Sequence, residues 1–366
     1  MATPPSDPAA AWVTRLTLTD FRSYAGAELR AGPGPVVLTG ANGAGKTNLL
    51  EALSMLAPGR GLRGTALSEM ARNPGPGAWA VAARLEGGGG VDLGTGTLAH
   101  APDRRLARVN GAAAAVGAFG ERVALTWLTP AMDRLLAESA SARRRFLDRL
   151  TLALVPAHGR NATRYEAAMR ERTRLLTSER AADPAWLGSL ERAMGEHGAE
   201  LARGRAETVA ALEPNLAATA APFPAARLSL DDTGLNAEDL AHKLARRRPI
   251  DSAAGRATFG PHRADLSVIH APTGQPASRA STGEQKALLI GVLLAHATLV
   301  AERRGARPIL LLDEVTAHLD AARRTALFER LPALGQVWVT GTEPALFAGL
   351  SATTRIHVDK GTLQPG

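Results

Sequence analysis

Cysteine is absent from the sequence. Its absence excludes disulfide scaffolds, thiolate nucleophiles and cysteine-based zinc sites, and it fits a protein of the reducing cytoplasm. Long hydrophobic runs are also lacking: the longest apolar stretch, Ala287 to Ala301, is interrupted by His296 and Thr298 and is too short for a membrane helix. The opening residues, MATPPSDPAA, lack the basic and apolar regions of a signal peptide. We therefore predict a soluble cytoplasmic protein with no membrane partner.

Lysine is scarce, since only four of the 43 basic residues are lysines. The formal net charge is nevertheless +8, which favours phosphate-rich partners. The arginine bias has two interpretations that composition leaves open. It reflects selection for bidentate phosphate contacts, or it reflects a genome composition that also enriches Ala, Gly and Pro.

The length and the pattern of the chain predict two domains. With 366 residues, 45% of them hydrophobic and 21% charged, the chain is long and apolar enough to bury a core. Strand and helix patterns alternate near both ends, whereas the middle is mainly helical and is closed by Pro214, Pro222 and Pro224. We predict an α/β domain in two parts, residues 1–118 and 258–366, split by a mainly helical insertion at 119–257.

A phosphate-binding motif lies in the first α/β part. The segment from Gly40 to Thr47 matches G-x-x-x-x-G-K-[ST] and lies between a predicted strand, Val36 to Thr39, and a predicted helix starting at Lys46. Backbone N–H groups of such a loop wrap the β-phosphate, the lysine reaches the β- and γ-phosphates, and the Thr47 hydroxyl holds Mg²⁺. The alternative is an ordinary glycine-rich turn. The predicted ATP-binding residues are Gly40, Ala41, Asn42, Gly43, Ala44, Gly45, Lys46, Thr47 and Asn48.

Two acids follow an apolar strand in the last part of the chain. The strand Ile309 to Leu312 leads into Asp313 and Glu314, at the end of a strand where ligands gather in an open α/β sheet. We predict that Asp313 binds Mg²⁺ and that Glu314 is the catalytic base that deprotonates water, with Lys46 as the second catalytic residue. The alternative is a strand followed by a capped turn.

The segment from Ser281 to Lys286, STGEQK, precedes a long predicted helix. A serine and a glycine at a helix N-terminus have two interpretations: they cap the helix, or they form an anion-binding site. If the anion is the γ-phosphate bound by a second subunit, ATP joins two copies of the chain into a homodimer. The hexapeptide alone is weak evidence for an anion site. It is strong evidence when the phosphate-binding motif precedes it and Asp313 and Glu314 follow it, as they do in this chain.

The sequence resembles the ATPase heads of the ABC class, and within that class the RecF family, which is related to SMC and Rad50 heads. The closer match rests on six segments that occur in order: LTLTDFRSY (16–24), GANGAGKTNLLEAL (40–53), ARRRFLDRL (142–150), FGPHRADL (259–266), ASTGEQKALLIG (280–291) and LLDEVTAHLD (311–320). The resemblance implies an ABC-type P-loop head with an inserted helical domain, ATP-dependent dimerisation and weak DNA-stimulated ATP hydrolysis. It also implies binding to single-strand/double-strand DNA junctions at gaps, and recombinase loading with recombination mediator proteins.

The resemblance implies further site residues. The signature that acts on the nucleotide of the partner would be Ser281, Gly283 and Gln285, Asp320 would form the D-loop, and Thr340 and Thr342 would form the switch. Two departures stand out: many ABC proteins have a switch histidine where this chain has Val339-Thr-Gly-Thr342, and the segment Leu128 to Asp133 offers no glutamine for a Q-loop. We therefore assign no metal ligand in that segment.

The DNA site is the least determined by the sequence. Arg60 and Arg63 occupy the place where related heads carry a loop arginine, and the alternative is an exposed turn. The arginines of the insertion alternate with glutamates, which is typical of a solvated helix. His262 has no partner ligands at metal spacing. The competing functions are a transporter ATPase subunit, which needs a coupling surface for membrane helices, and an SMC/Rad50-like head, which needs a far longer coiled coil than this chain can supply.

Overall fold

The computed structural model describes residues 9–87, 89–179, 183–219, 221–317, 319–351 and 354–366, so most of the opening segment MATPPSDPAA lies outside the described residues. The chain forms two compact units. Unit 1 comprises Met1–Arg134, Ala218–Ala225 and Ser281–Gly366, and unit 2 comprises Leu135–Ala217 and Ala226–Ala280. Strands and helices are numbered along the chain.

The central sheet of unit 1 has six strands, parallel except for one edge strand. Its buried strands carry continuous apolar residues, as a sheet covered on both faces requires. Val37 of one strand pairs with Val339 of the next, which brings the ends of the two strands together. In spatial order the strands are β17 (Thr362–Pro365), β16 (Thr354–Asp359), β4 (Val36–Thr39), β15 (Val337–Gly341), β14 (Ile309–Leu312) and β9 (Leu125–Leu128).

The second sheet of unit 1 is antiparallel. In β2 (Trp12–Phe21) the side chains of Leu16 and Leu18 are buried while Arg15 and Thr19 are exposed, the alternation of a sheet with one face in the core. In spatial order its strands are β3 (Tyr24–Arg30), β2 (Trp12–Phe21), β5 (Ala80–Glu86), β6 (Val91–Leu98), β7 (Ala101–Val109) and β8 (Ala112–Ala113), and a separate short pair is formed by β1 (Ala9–Ala10) and β13 (Ala306–Arg307).

In the part of unit 1 that the structure describes, four α-helices accompany these sheets: α1 (Lys46–Ser54), α2 (Ala118–Arg122), α8 (Thr282–Arg304) and α9 (Ala321–Arg330). Among the described residues α8 alone is long and apolar enough to cross a membrane. The expectation that the apolar run is too short was therefore wrong by length, because the helix extends past the run at both ends. Its most apolar window is 83% buried, as in the core helix of a soluble protein.

In its described residues, unit 2 contains five α-helices and a small antiparallel sheet. The elements are α3 (Ala140–Leu154), α4 (Ala157–Leu176), α5 (Pro184–Ala217), α6 (Ala237–Arg246), α7 (Arg248–Ala254), β10 (Ala226–Asp231), β11 (Asp265–His270) and β12 (Gln275–Pro276). Pro214 does not end the long helix, as the sequence predicted, but lies inside its last turn. Tyr165, Met194 and Leu240 are among the side chains that form the core of this unit.

The bounds of the units differ from the predicted 119–257 insertion. The strand β9 lies within the predicted insertion, yet it pairs with β14 and so belongs to the sheet of unit 1. The strand β11 was expected in the returning α/β part, yet it pairs with β10 and belongs to unit 2. Strand pairing between distant residues sets these bounds.

The solvated-helix interpretation of the insertion arginines was wrong for Arg172. Its side chain is fully buried and donates hydrogen bonds to Glu191 (3.0 Å), Asp251 (2.7 Å) and the carbonyl of Leu244 (2.8 Å). A buried guanidinium needs partners of this kind to offset its desolvation. The exposed ion pairs Arg170–Glu166 and Arg174–Glu171 do follow the helical spacing that the interpretation required.

Candidate nucleotide-binding site

The loop from Gly40 to Gly45 joins the end of β4 to the start of α1. Gly40 (φ 146°) and Gly45 (φ 119°) have backbone angles that other residues rarely adopt. Space excludes a side chain as well, because a Cβ at Gly40 would clash with the carbonyl of Val358 and one at Gly45 would lie 2.7 Å from the Tyr24 hydroxyl. The Tyr24 hydroxyl donates to the carbonyl of Gly45 at 3.1 Å. The two glycines therefore fix the tight loop that the motif predicts.

The crest of the loop is exposed, at Ala41, Asn42 and Gly43. The N–H groups of Gly43, Gly45, Lys46 and Thr47 donate to no other residue in the part of the chain that the structure describes. Amides at the start of a helix that lack protein acceptors are suited to an anion, and the helix dipole adds to the attraction. This feature fits the phosphates of a nucleotide.

The Lys46 side chain folds back over the loop. Its ammonium donates to the carbonyls of Gly40 at 2.6 Å and Ala41 at 2.9 Å. Burial lowers the pKa of Lys46, and the negative charges of Glu314 and Asp313 oppose that shift. The lysine is thus held beside the loop and near both acids.

Thr47, Asp313 and Thr340 form one hydrogen-bonded chain across three elements. The Thr47 hydroxyl on α1 lies 3.1 and 3.0 Å from the two carboxylate oxygens of Asp313, which follows β14. The hydroxyl of Thr340 on β15 donates to Asp313 Oδ1 at 2.7 Å and accepts from the backbone N–H of Glu314 at 2.8 Å. The predicted phosphate loop, acid pair and first switch threonine therefore meet at the ends of three neighbouring strands.

The arrangement of Thr47 and Asp313 fits a magnesium site. A hydroxyl and a carboxylate are hard oxygen ligands of the kind Mg²⁺ takes alongside phosphate oxygens. Glu314 stands beside them with a left-handed backbone (φ 48°), an unusual conformation for a non-glycine residue that is often found at functional sites. The donor set and the free loop amides together fit ATP with Mg²⁺.

Sequence reasoning assigned no role to Lys286 and Asp133, which lie beside this site. The Lys286 ammonium is buried and donates to the carbonyl of Ala317 (2.8 Å), to Asp133 (3.2 Å) and, at 3.4 Å, to the carbonyl of Glu314. A cavity of about 10 Å³, near the volume that one water needs, is lined by Asp133, Lys286 and Asp313 among others. The segment without a Q-loop glutamine therefore still brings a carboxylate to the site, and no local sequence signal pairs that carboxylate with Lys286.

The predicted signature residues have different environments. The exposed Ser281 is the N-cap of α8 and forms a capping box with Glu284, whose N–H donates to the Ser281 hydroxyl at 3.3 Å. A Cβ on Gly283 would meet no atom within 4 Å. Gln285, by contrast, is only 4% exposed, so its predicted contact with a partner subunit is not available in this conformation. The reason is that α8 is buried on all sides from Gln285 to Ala297.

Of the remaining predicted site residues, Asp320 and Thr342 are exposed. Asp320 caps α9 by accepting from the N–H of Arg323 at 2.8 Å. Thr342 is exposed just after β15, whereas Thr340 is fully buried. Among the described residues there is no group of three or more His, Cys, Asp or Glu side chains that could hold a metal ion.

The predicted DNA-binding loop after α1 contains two exposed arginines, and one of them is bonded within the chain. Arg60 is exposed. The Arg63 guanidinium instead forms an ion pair with the fully buried Glu51 and donates to Asn48 Oδ1 at 3.0 Å. Arg22 holds the same carboxylate through two bonds of 2.8 and 2.7 Å. The buried carboxylate of Glu51 needs these cations, and the assignment of Arg63 to DNA stays a prediction.

Arg105, which the sequence did not single out, anchors the same loop. Its guanidinium donates to the carbonyls of Gly59 (2.7 Å), Ala57 (3.2 Å) and Met55 at the end of α1, and burial lowers its pKa to about 10. It thereby ties β7 to the end of α1 just ahead of Arg60.

Comparison with known proteins agrees with this geometry. A family model described as an AAA domain matches residues 15–65, which include the phosphate loop. A structure titled as the recombination mediator protein RecF with ATP in the RecFOR pathway is 20% identical and covers all of both chains with a TM-score of 0.85. An Smc head domain of Pyrococcus furiosus is 16% identical and covers 97% of this chain and 95% of its own, with a TM-score of 0.55. Fold and site together define an ABC-type ATPase head.

Curated relatives then identify the family. The DNA replication and repair protein RecF of Mesorhizobium japonicum is 47% identical over 98% of this chain and 99% of its own length. The protein of the same name from Rhizobium rhizogenes is 48% identical over 93% of this chain and 94% of its own. The chain belongs to the RecF family of DNA replication and repair proteins. The resemblance inferred from the six motifs is confirmed.

Proposed function

We propose that this protein is an ATP-dependent DNA-binding protein of recombinational repair and replication-fork maintenance. The observation that supports this proposal is the hydrogen-bonded chain that runs from Thr47 through Asp313 to Thr340 and the N–H of Glu314. This chain joins the phosphate loop to both acids. Family membership supports the biological setting, since the relatives are named DNA replication and repair proteins. It also weighs against a transporter subunit or a chromosome-organising head.

The proposed roles follow from the chemistry of each group. Loop amides and Lys46 bind the β- and γ-phosphates, Thr47 and Asp313 hold Mg²⁺, and Glu314 accepts a proton from the attacking water. Bound Mg²⁺ neutralises phosphate charge. Thr340 fixes the Asp313 carboxylate, and Thr342 serves as the second switch residue.

We further propose that hydrolysis is slow and depends on a second subunit. Ser281 and Gly283 present a helix N-terminus on the surface, which is suited to the γ-phosphate on a partner, and Asp320 lies at the start of α9 as the D-loop acid. ATP would thus form the dimer and weak, DNA-stimulated hydrolysis would reset it. The dimer would bind single-strand/double-strand junctions at gaps and, with recombination mediator proteins, help to load recombinase.

A filter-binding assay tests this function. Wild-type protein should retain labelled gapped DNA more strongly with a non-hydrolysable ATP analogue and Mg²⁺ than without nucleotide. Lys46→Ala should lose nucleotide binding and with it the nucleotide-dependent gain, because the cation beside the phosphates is gone. Equal retention with and without nucleotide by the wild type would contradict an ATP-controlled DNA-binding protein.

A further inference from the structure

Two sequence segments typical of the family, ARRRFLDRL and FGPHRADL, come together within unit 2. The first lies on α3 and the second forms a short turn ahead of β11. Arg143 makes two hydrogen bonds to the carboxylate of Asp265, at 2.8 and 2.7 Å. Its neighbour Arg144 donates to the carbonyl of Ala264 at 2.8 Å. Both contacts join the same helix to the same turn, so the two segments form one local structure.

The turn from Pro261 to Ala264 is also held from α5 and α4. The buried Arg205 donates to the carbonyl of Pro261 at 2.6 Å and to the carboxylate of Asp148 at 2.8 and 3.1 Å. The Tyr165 hydroxyl lies 2.8 Å from Nδ1 of His262, whose other ring nitrogen donates to Ala257. Arg263 lies at the end of this turn, and hydrogen bonds from residues of α4 and α5 therefore hold its backbone in place.

The charges of this region do not balance. Asp265 neutralises Arg143, and Asp148 neutralises Arg205. Arg145 and Arg263 are exposed, and neither has a carboxylate partner in the described ranges. Arg144 is half-buried and bonded to a carbonyl. Burial lowers the pKa of Arg144, and the positive charges of Arg205, Arg145 and Arg263 lower it further while Asp148 opposes them. Like charges are thus held together by the fold.

We propose that Arg144, Arg145 and Arg263, named here the arginine cluster, form a contact surface for the backbone phosphates of DNA. Guanidinium groups bind phosphate oxygens through paired hydrogen bonds, and such contacts supply most protein–DNA hydrogen bonds without reading sequence. The alternative occupant is an acidic protein surface, which the test below distinguishes from DNA by means of polyglutamate. The proposal rests on the proposed function, which requires that the chain binds DNA.

Fluorescence anisotropy with full-length protein tests the cluster. The probe is a fluorescein-labelled duplex with a single-stranded tail, titrated over a salt series with a non-hydrolysable ATP analogue and Mg²⁺. The double variant Arg145→Ala/Arg263→Ala removes two exposed cations without touching the bonds that fix the turn. We expect affinity to fall at least about tenfold near 0.1 M salt, and the slope of log K against log salt to decrease in magnitude by about 1.8. Binding of a fluorescent ATP analogue should stay as in the wild type.

The matched control is Arg170→Ala/Arg174→Ala, which removes the same charge from exposed arginines of α4 that have glutamate partners. It should keep the wild-type affinity to within about twofold. An equal loss in the control would mean that net charge alone matters and would overturn the proposal. Unchanged DNA binding by the cluster variant would also overturn the proposal. If that variant kept its DNA binding but lost binding to polyglutamate, the cluster would be a contact for an acidic protein surface instead. A wild-type protein that binds no DNA would contradict the proposed function itself and the cluster with it.

Discussion

The buried hydroxyl of Thr340 donates to Asp313 Oδ1 at 2.7 Å. The Thr340 hydroxyl oxygen in turn accepts from the N–H of Glu314 at 2.8 Å. One side chain on β15 thus fixes both the carboxylate of the first acid and the backbone of the second.

Thr340→Val should therefore impair hydrolysis without abolishing nucleotide binding. Valine keeps the shape of threonine but leaves the N–H of Glu314 and one oxygen of Asp313 without this partner, and we expect a loss of about 1–3 kcal/mol in the free energy of unfolding. Thr340→Ser restores the hydroxyl and is the control. Steady-state ATP hydrolysis measures the first effect, and denaturant unfolding measures the second. A wild-type rate of hydrolysis in the valine variant would show that Thr340 has no role in the site.

Glu314→Gln should bind ATP and Mg²⁺ but fail to hydrolyse ATP. Glutamine keeps the size of the side chain and the N–H contact to Thr340 while it removes the proton acceptor. Because Lys46, Thr47 and Asp313 are unchanged, the ATP-bound dimer should persist, and light scattering should detect it. A monomer with the wild-type rate of hydrolysis would rule out Glu314 as the base.

Ser281→Asp separates the two functions considered for Ser281. Aspartate is as good an N-cap as serine, so α8 should remain stable, but its negative charge would repel a phosphate held by a partner subunit. We expect a monomer that binds ATP and does not dimerise. Ser281→Ala, which loses about 1 kcal/mol of capping but adds no charge, should dimerise far better. ATP-dependent dimerisation of the aspartate variant by sedimentation velocity would mean that Ser281 is a helix cap alone.

Arg60 and Arg63 should respond differently to replacement by alanine. Arg63→Ala removes one of two cations from the buried Glu51 and should cost about 1–3 kcal/mol of stability. Arg60→Ala should leave stability unchanged and reduce the salt slope of DNA binding by about 0.9, because the exposed Arg60 is free to contact a phosphate. Thermal unfolding and anisotropy distinguish the two. A stable Arg63→Ala variant with a reduced salt slope would show that Arg63 leaves Glu51 for DNA.

His262 should make unit 2 less stable at acidic pH. Its pKa is lowered from the ordinary 6.5, first by burial and then by Arg144 and Arg263, while its bond to Ala257 and the charge of Asp251 oppose the shift. The unfolded chain therefore binds a proton more readily than the folded chain, so stability declines as the pH falls below about 6.5 toward the folded value. His262→Gln should flatten this part of the curve of unfolding free energy against pH. The same slope in the variant would assign the pH dependence to other groups.

The sequence alone determined the parts of the site that depend on local backbone chemistry. Glycines at 40 and 45 permit one tight turn between a strand and a helix, and the apolar run before Asp313 marks a buried strand. Both motifs can therefore be recognised from short segments of sequence. Family membership followed from the order of six such segments.

The tertiary structure decided what depends on residues distant in sequence. Asp313 and Thr340 meet because their strands are neighbours in the central sheet, and Arg63 and Arg172 are bonded inside their units because buried carboxylates lie within reach. Helical periodicity indicates that Arg172 lies on a charged helix, but it does not reveal which other helices cover that face. The assignment of β9 and β11 to different units likewise depends on strand pairing, which arises from long-range packing and has no local sequence signal.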